Sequence, residues 1–203
     1  GSEFRVNTGI TYDQKEAAVA MDATGNFVIT WQSWSQDAVN SNGIYAQRYN
    51  SSGVAQGGEF KVNTYTTDDQ SEPGIGMDSS GNFVIAWGSW GQDDSDEGIY
   101  AQRYDSSGVA QGSEFSVNTY STGYQGLPVV AMDGNGFVVV WESSAQDGDL
   151  NGIYGQRYNS SGVAQGSEFR VNTTTANQQQ NPVAAMTTAG GFVVTWQSYA
   201  QDG

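Results

Sequence analysis

The chain has no cysteine and no histidine in 203 residues. The first absence removes a disulfide framework, a thiolate metal site and a cysteine nucleophile. The second removes the commonest general base near neutral pH and the commonest transition-metal ligand. Basic residues are scarce as well: 7 Lys and Arg stand against 22 Asp and Glu, a formal net charge of -15. Such a surface repels phosphate backbones and anionic lipid, so nucleic acid is not an expected partner. No apolar run approaches the roughly 18 residues of a membrane helix, and membrane insertion is not expected. With 3 Pro and 27 Gly, the chain has turn residues in plenty and few rigid ones.

What is present is repetition. GIYAQRYNSSGVAQG begins at Gly43 and returns, almost unchanged, at Gly98 and Gly152. EFxVNT occurs at Glu3, Glu59, Glu114 and Glu168, a period of about 55 residues. The units run 1–58, 59–113, 114–167 and an incomplete 168–203, forming one repeat domain. Each continues through an apolar run ending in Met (Met21, Met77, Met132, Met186), then a Gly-containing turn, then a Phe-Val run closing at Trp31, Trp87, Trp141 or Trp196. A polar loop follows, holding Gln36-Asp37, Gln92-Asp93, Gln146-Asp147 or Gln201-Asp202.

The turn clusters between β-rich runs predict hairpins, and no stretch carries a helical period. FVITW, FVIAW and FVVVW read as strands buried on both faces, whereas IYAQRY and EFRVNT alternate and read as half-exposed. The expected fold is therefore all-β, a propeller-like array of four-stranded blades whose apolar faces shield one another. A β-solenoid or a linear array of small sandwiches is the alternative. Counting motifs predicts fifteen strands and one open edge, to be covered by a neighbouring repeat or a homodimer partner.

The order GxEFxVNT, PxVAMDxxGNFVVxW, QDGxxxGIYxQRYxSSG resembles tandem repeats of very large secreted or surface bacterial proteins that look like adhesins or matrix components. The resemblance covers essentially the whole chain. It implies a secreted or cell-surface location and a partner in glycan or surface matrix.

Several residues stand out as candidates for chemistry. Asp147, Asp149 and Asn151 form a D-x-D-x-N-G loop, and Asp93, Asp94 and Asp96 crowd the matching loop; alternate oxygens at this spacing suit Ca²⁺. A loop of Asp37, Asn40 and Asn42 is the weaker third copy. Trp34, Trp90 and Tyr199, beside Gln36 and Gln92, offer an aromatic platform with amides on which a sugar could stack. Trp31, Trp87, Trp141 and Trp196 read as core. Arg48, Arg103 and Arg157 recur in QRY and predict charge-assisted bonds to acids or carbonyls at strand ends. Glu142 departs from the pattern Gln32, Gly88, Gln197. No nucleophile elbow or phosphate loop is present. The expectation is a non-catalytic binding and adhesion module, with a calcium-stiffened structural repeat as the alternative and a glycosidase-type propeller ranked last.

Overall fold

The computed structural model describes residues 2–36 and 38–201. All of their regular structure is β. The first blade is a four-stranded antiparallel sheet of β1 (Gln14–Met21), β2 (Phe27–Trp34), β3 (Asn42–Tyr49) and β4 (Phe60–Lys61), in that order. The second repeats it with β5 (Gln70–Met77), β6 (Phe83–Trp90), β7 (Glu97–Tyr104) and β8 (Phe115–Ser116). The third has β9 (Gln125–Asp133), β10 (Gly136–Ser144), β11 (Asn151–Asn159) and β12 (Phe169–Arg170). The fourth sheet holds β13 (Gln179–Met186) and β14 (Phe192–Ser198). The first strand of each sheet lines a common central funnel, which makes the array propeller-like.

Local chemistry sets the hairpins. Asp22 Oδ1 accepts from the amides of Thr24 and Asn26, and Gly25 takes φ 87° to close the turn. Asn50 Oδ1 does the same for Ser52 and Val54 between β3 and the bridge residue Ala55, around Gly53. Alternate residues then face opposite neighbours. Val84, Ala86, Ile99 and Ala101 of blade 2 pack against Val130, Phe137, Val139 and Trp141 of blade 3. The same pattern joins blades 1 and 2, and blades 3 and 4. The seam between blades 2 and 3 is the tightest. A Cβ on Gly74 would stand 2.2 Å from the Pro128 carbonyl oxygen, and one on Gly76 2.7 Å from Val130.

Two expectations need correction. Among the described residues there are fourteen strands rather than fifteen: the first EFxVNT copy, at residues 3–8, pairs with no third strand and forms none itself. It packs instead on blade 1, with Phe4 5.3 Å from Tyr49. The third strands are also buried almost throughout, not half-exposed. Each is interior to its sheet and covered on both faces, because the next blade takes one side and an EFxVNT segment takes the other.

Candidate functional site

The register of the strands puts two sets of connections at one end of the array: the turns after Trp34, Trp90 and Ser144, and the segments leading into β5, β9 and β13. At that end every first strand breaks its ladder. Glu16, Glu72, Leu127 and Asn181 occupy equivalent places and all adopt left-handed φ, from 52° to 54°. Side chains other than glycine or asparagine are uncommon there, and recurrence in every blade marks a built feature. The four residues line a cavity of about 250 Å³ on the central axis.

Each bulge exposes an amide that needs an acceptor. In blade 2 the Glu72 amide donates to Gln32 Oε1 of blade 1, and in blade 4 the Asn181 amide donates to Glu142 Oε1 of blade 3, at 2.6 Å. Between these, blade 2 has Gly88 where the acceptor side chain would start. The Leu127 amide therefore donates to Glu72 Oε2 at 2.8 Å, and the Tyr124 hydroxyl donates to the same oxygen at 3.2 Å.

The space above Gly88 is filled by Glu97, whose Oε1 lies 1.9 Å from where a Gly88 Cβ would be. Glu97 stands where blades 1 and 3 have Asn42 and Asn151. Across the first seam, Asn42 donates to Asp69 through both its amides. Across the second seam the corresponding pair is Glu97 and Tyr124, and the tyrosine ring lies over Gly126, where no Cβ could fit. Gly88, Glu97, Tyr124 and Gly126 thus depart from the repeat together, and each makes room for the next.

The result is a cluster of three acids around one hydroxyl. Glu97 is 7% exposed, and Ser71 Oγ donates to it. Burial pushes its carboxyl up to about 7; the Ser71 hydrogen bond opposes this, and the charges of Glu72 and Asp69 add to it. Burial also raises Glu142, against hydrogen bonds from Asn181 and Asn151 and with the charge of Glu72. The Tyr124 hydroxyl is raised by burial and then by the charges of Glu72, Glu97 and Glu142, so all three acids act on it. The arrangement sets a buried acid, Glu97, whose carboxyl burial pushes up, behind a half-exposed one, Glu72, at the funnel.

The residues singled out from sequence lie elsewhere on this same end. Trp34 and Trp90 close β2 and β6 rather than standing in loops. Trp90 is 46% exposed and lines a cleft with Val39, Thr66 and Asp68, whereas Tyr199 lies past the end of β14. Trp34, Trp90 and Tyr199 thus belong to blades 1, 2 and 4, and blade 3 has Ser144 at that place. Gln36 and Gln92 are tied into the frame, donating to Glu59 and Glu114. Asp147 accepts from Asn172, Asp149 from the Asn177 amide, and Asn151 donates to Glu142, so the three side chains serve three different partners. Asp93 accepts from the Ser95 amide, and Asp94 and Asp96 are exposed. Among the described residues, no three Asp or Glu are grouped to hold a metal ion. Asp37 and Asp202 lie outside the described residues.

Arg48 and Arg103 donate to the carbonyls of Ser106 and Ser107, and of Ser161, clasping the turn of the following blade. Arg157 lies over the Phe192 ring. Trp31, Trp87 and Trp141 are buried, and Trp196 is half-buried. Glu72, Glu97 and Tyr124 were missed from sequence. The signal available was that Glu97 and Gly88 break their columns in the same repeat.

No protein-family model and no curated protein matches the chain in sequence. Solved structures match in shape. An α-L-arabinanase from Penicillium chrysogenum, complexed with arabinobiose, superposes at a TM-score of 0.61 with 17% identity, over 94% of this chain and 61% of its own. A thermostable family-43 glycoside hydrolase matches at 0.53 with 14% identity, over 84% and 61%. A Bacillus subtilis arabinanase matches at 0.51 with 17% identity, over 94% and 70%. The chain thus spans less than two thirds of the length of the first two.

These likenesses show a shared propeller fold. They also correct two expectations. The sequence predicts a non-catalytic adhesion module and not an enzyme, yet the solved structures sharing the fold are glycoside hydrolases. Repetition points to like parts rather than to one asymmetric site, but the seam between blades 2 and 3 is asymmetric within the repeat, through Gly88, Glu97, Tyr124 and Gly126.

Proposed function

We propose that the chain is a glycoside-hydrolase propeller, cleaving an oligosaccharide at the funnel end of the seam between blades 2 and 3. The observation that carries this reading is the acid cluster of the seam: Glu97, buried with Ser71 donating to it, stands behind Glu72, which is half-exposed at the funnel and holds the Leu127 amide and the Tyr124 hydroxyl. Glycoside cleavage needs that pairing: one carboxyl gives its proton to the departing oxygen while a carboxylate activates water or meets the sugar carbon. Glu97, 7% exposed and set behind the funnel lining, is the acid we assign as the source of the proton. Glu72, half-exposed on the funnel wall and fixed by the Leu127 amide and the Tyr124 hydroxyl, is the carboxylate. Glu142 holds the Asn181 bulge and is a positioning residue. The names of the structural neighbours make arabinan the first substrate to try.

The test is release of reducing ends from arabino-oligosaccharides and a wider glycoside panel between pH 5 and 9. Glu97→Gln and Glu72→Gln should each cut kcat by about 10²–10⁴, the usual worth of a positioned acid or base. Wild-type activity should fall as pH rises through about 7, where Glu97 loses its proton. No turnover of any glycoside by the wild type, or full activity in Glu97→Gln, would refute the assignment.

A further inference from the structure

The seam between blades 1 and 2 carries, at the funnel end, a cleft of about 410 Å³ that the proposed reaction leaves unused. Trp90, 46% exposed at the end of β6, lines it. Asn40 and Ser41 join it from the connection after β2, and Thr66, Asp68 and Asp69 from the segment leading into β5. We infer that this cleft is a subsite for a neutral sugar unit, which stacks on Trp90 and gives its hydroxyls to those polar side chains. As a substrate subsite, it rests on the glycoside-hydrolase reading of the chain.

Three departures from the repeat meet in this cleft. The connection from Trp34 to Asn42 is one residue longer than those from Trp90 to Glu97 and from Ser144 to Asn151. Trp90 has Ser144 at its place in blade 3. Asp68 and Asp69 have Gly123 and Tyr124 at theirs. Asp68 takes a φ of 59° where Gly123 takes 73°, so the backbone accepts glycine there and has no need of the carboxylate.

The lining selects the ligand. An exposed indole among hydroxyl, amide and carboxylate groups suits a ring with an apolar face and hydroxyls at its edge. Ser41 is 6% exposed and its hydroxyl has no hydrogen-bond partner among the described residues, a demand that a polar group in the cleft would meet. Asp69 is fixed, because its Oδ1 accepts from both amides of Asn42. Two carboxylates in a chain of net charge -15 repel an anionic sugar. A wholly apolar ligand would leave the polar side chains unpaired. The cleft also adjoins the acid cluster: Trp90 stands opposite Glu97 in the ladder of β6 and β7, and its amide donates to the Asp69 carbonyl.

The test titrates the wild type and Glu72→Gln with arabinobiose, arabinohexaose and the wider glycoside panel, by calorimetry and tryptophan emission. Binding of a neutral oligosaccharide is expected, insensitive to added salt and weakened about tenfold by Trp90→Ala. Trp90→Phe should keep most of it. Asp68→Asn, a change of equal size at a place where glycine also serves, should weaken it as well, so the test does not hang on the fold of Trp90→Ala. Sugar binding that depends on Trp90 without turnover by the wild type would refute the reaction and uphold the subsite. No binding of any panel member overturns the inference. So does binding and cleavage of arabinohexaose by Trp90→Ala and Asp68→Asn at wild-type strength, or a ligand displaced by salt, which would be a cation.

Discussion

Replacing Glu97 with Gln should make the protein more stable above neutral pH, and the size of the gain follows from its surroundings. An ordinary glutamate loses its proton near 4.5, whereas burial pushes Glu97 up to about 7. Between those values the folded chain holds a proton that the unfolded chain has released. Stability contributed by this group is therefore full in acid and declines as pH rises from about 4.5 to 7, then stays level above. At roughly 1.4 kcal/mol for each tenfold difference in proton affinity, the folded state is penalised by about 3 kcal/mol at pH 8. Glutamine has the same shape, can accept from Ser71 and never ionises. The two proteins should melt together near pH 4.5 and diverge above it, with Glu97→Gln ahead by about 6–12 °C at pH 8 in a domain of this size. Thermal melts followed by far-UV circular dichroism at intervals from pH 4.5 to 8.5 measure this directly. The difference between the two curves isolates Glu97, because every other acid is common to both. Parallel curves across the whole range would show that Glu97 ionises normally. The proton donor of the proposed reaction would then be lost with it.

Gly74→Ala tests the tight seam: the added carbon would stand 2.2 Å from the Pro128 carbonyl, a backbone atom that cannot swing aside. A net loss of about 1–3 kcal/mol in urea unfolding is expected, despite the roughly 0.5–1 kcal/mol that alanine gains over glycine in a strand. Arg103→Ala removes a clasp on the next blade, and Arg157→Ala removes only a contact with a ring. Urea titration should show the first costing about 1–2 kcal/mol more than the second.

The blades were legible because their signals are local and redundant. MDATGNFV encodes an aspartate-capped glycine turn between two β-rich runs, and FVITW encodes a strand with no wet face. The outer strand was harder to bound, since only Phe60 and Lys61 of its copy form strand, with Val62 adding one backbone bond to Ile44. The bulges could not be read. Their left-handed residues are Glu16, Glu72, Leu127 and Asn181, of which only the last has a type that favours such a backbone. Tertiary contacts impose that conformation: an acceptor reaches each bulge amide of blades 2, 3 and 4 from the preceding blade.

The acid cluster was invisible for a different reason. Reading by repeat averages the copies and treats an odd residue as drift. Glu142 was noticed because it adds an acid to a column of amides. Gly88 removes a side chain from that column, and Glu97 adds an acid to a neighbouring one, so each change alone looks like noise. Only the pairing of β6 with β7 and the closeness of blade 3 show that the glycine makes room for the glutamate. Tyr124 in turn lies over a second glycine at 126. A single substitution at such a seam would bury a charge beside a void or a clash. Four compensating ones yield a packed seam in which the glutamate fills the space that the glycine leaves.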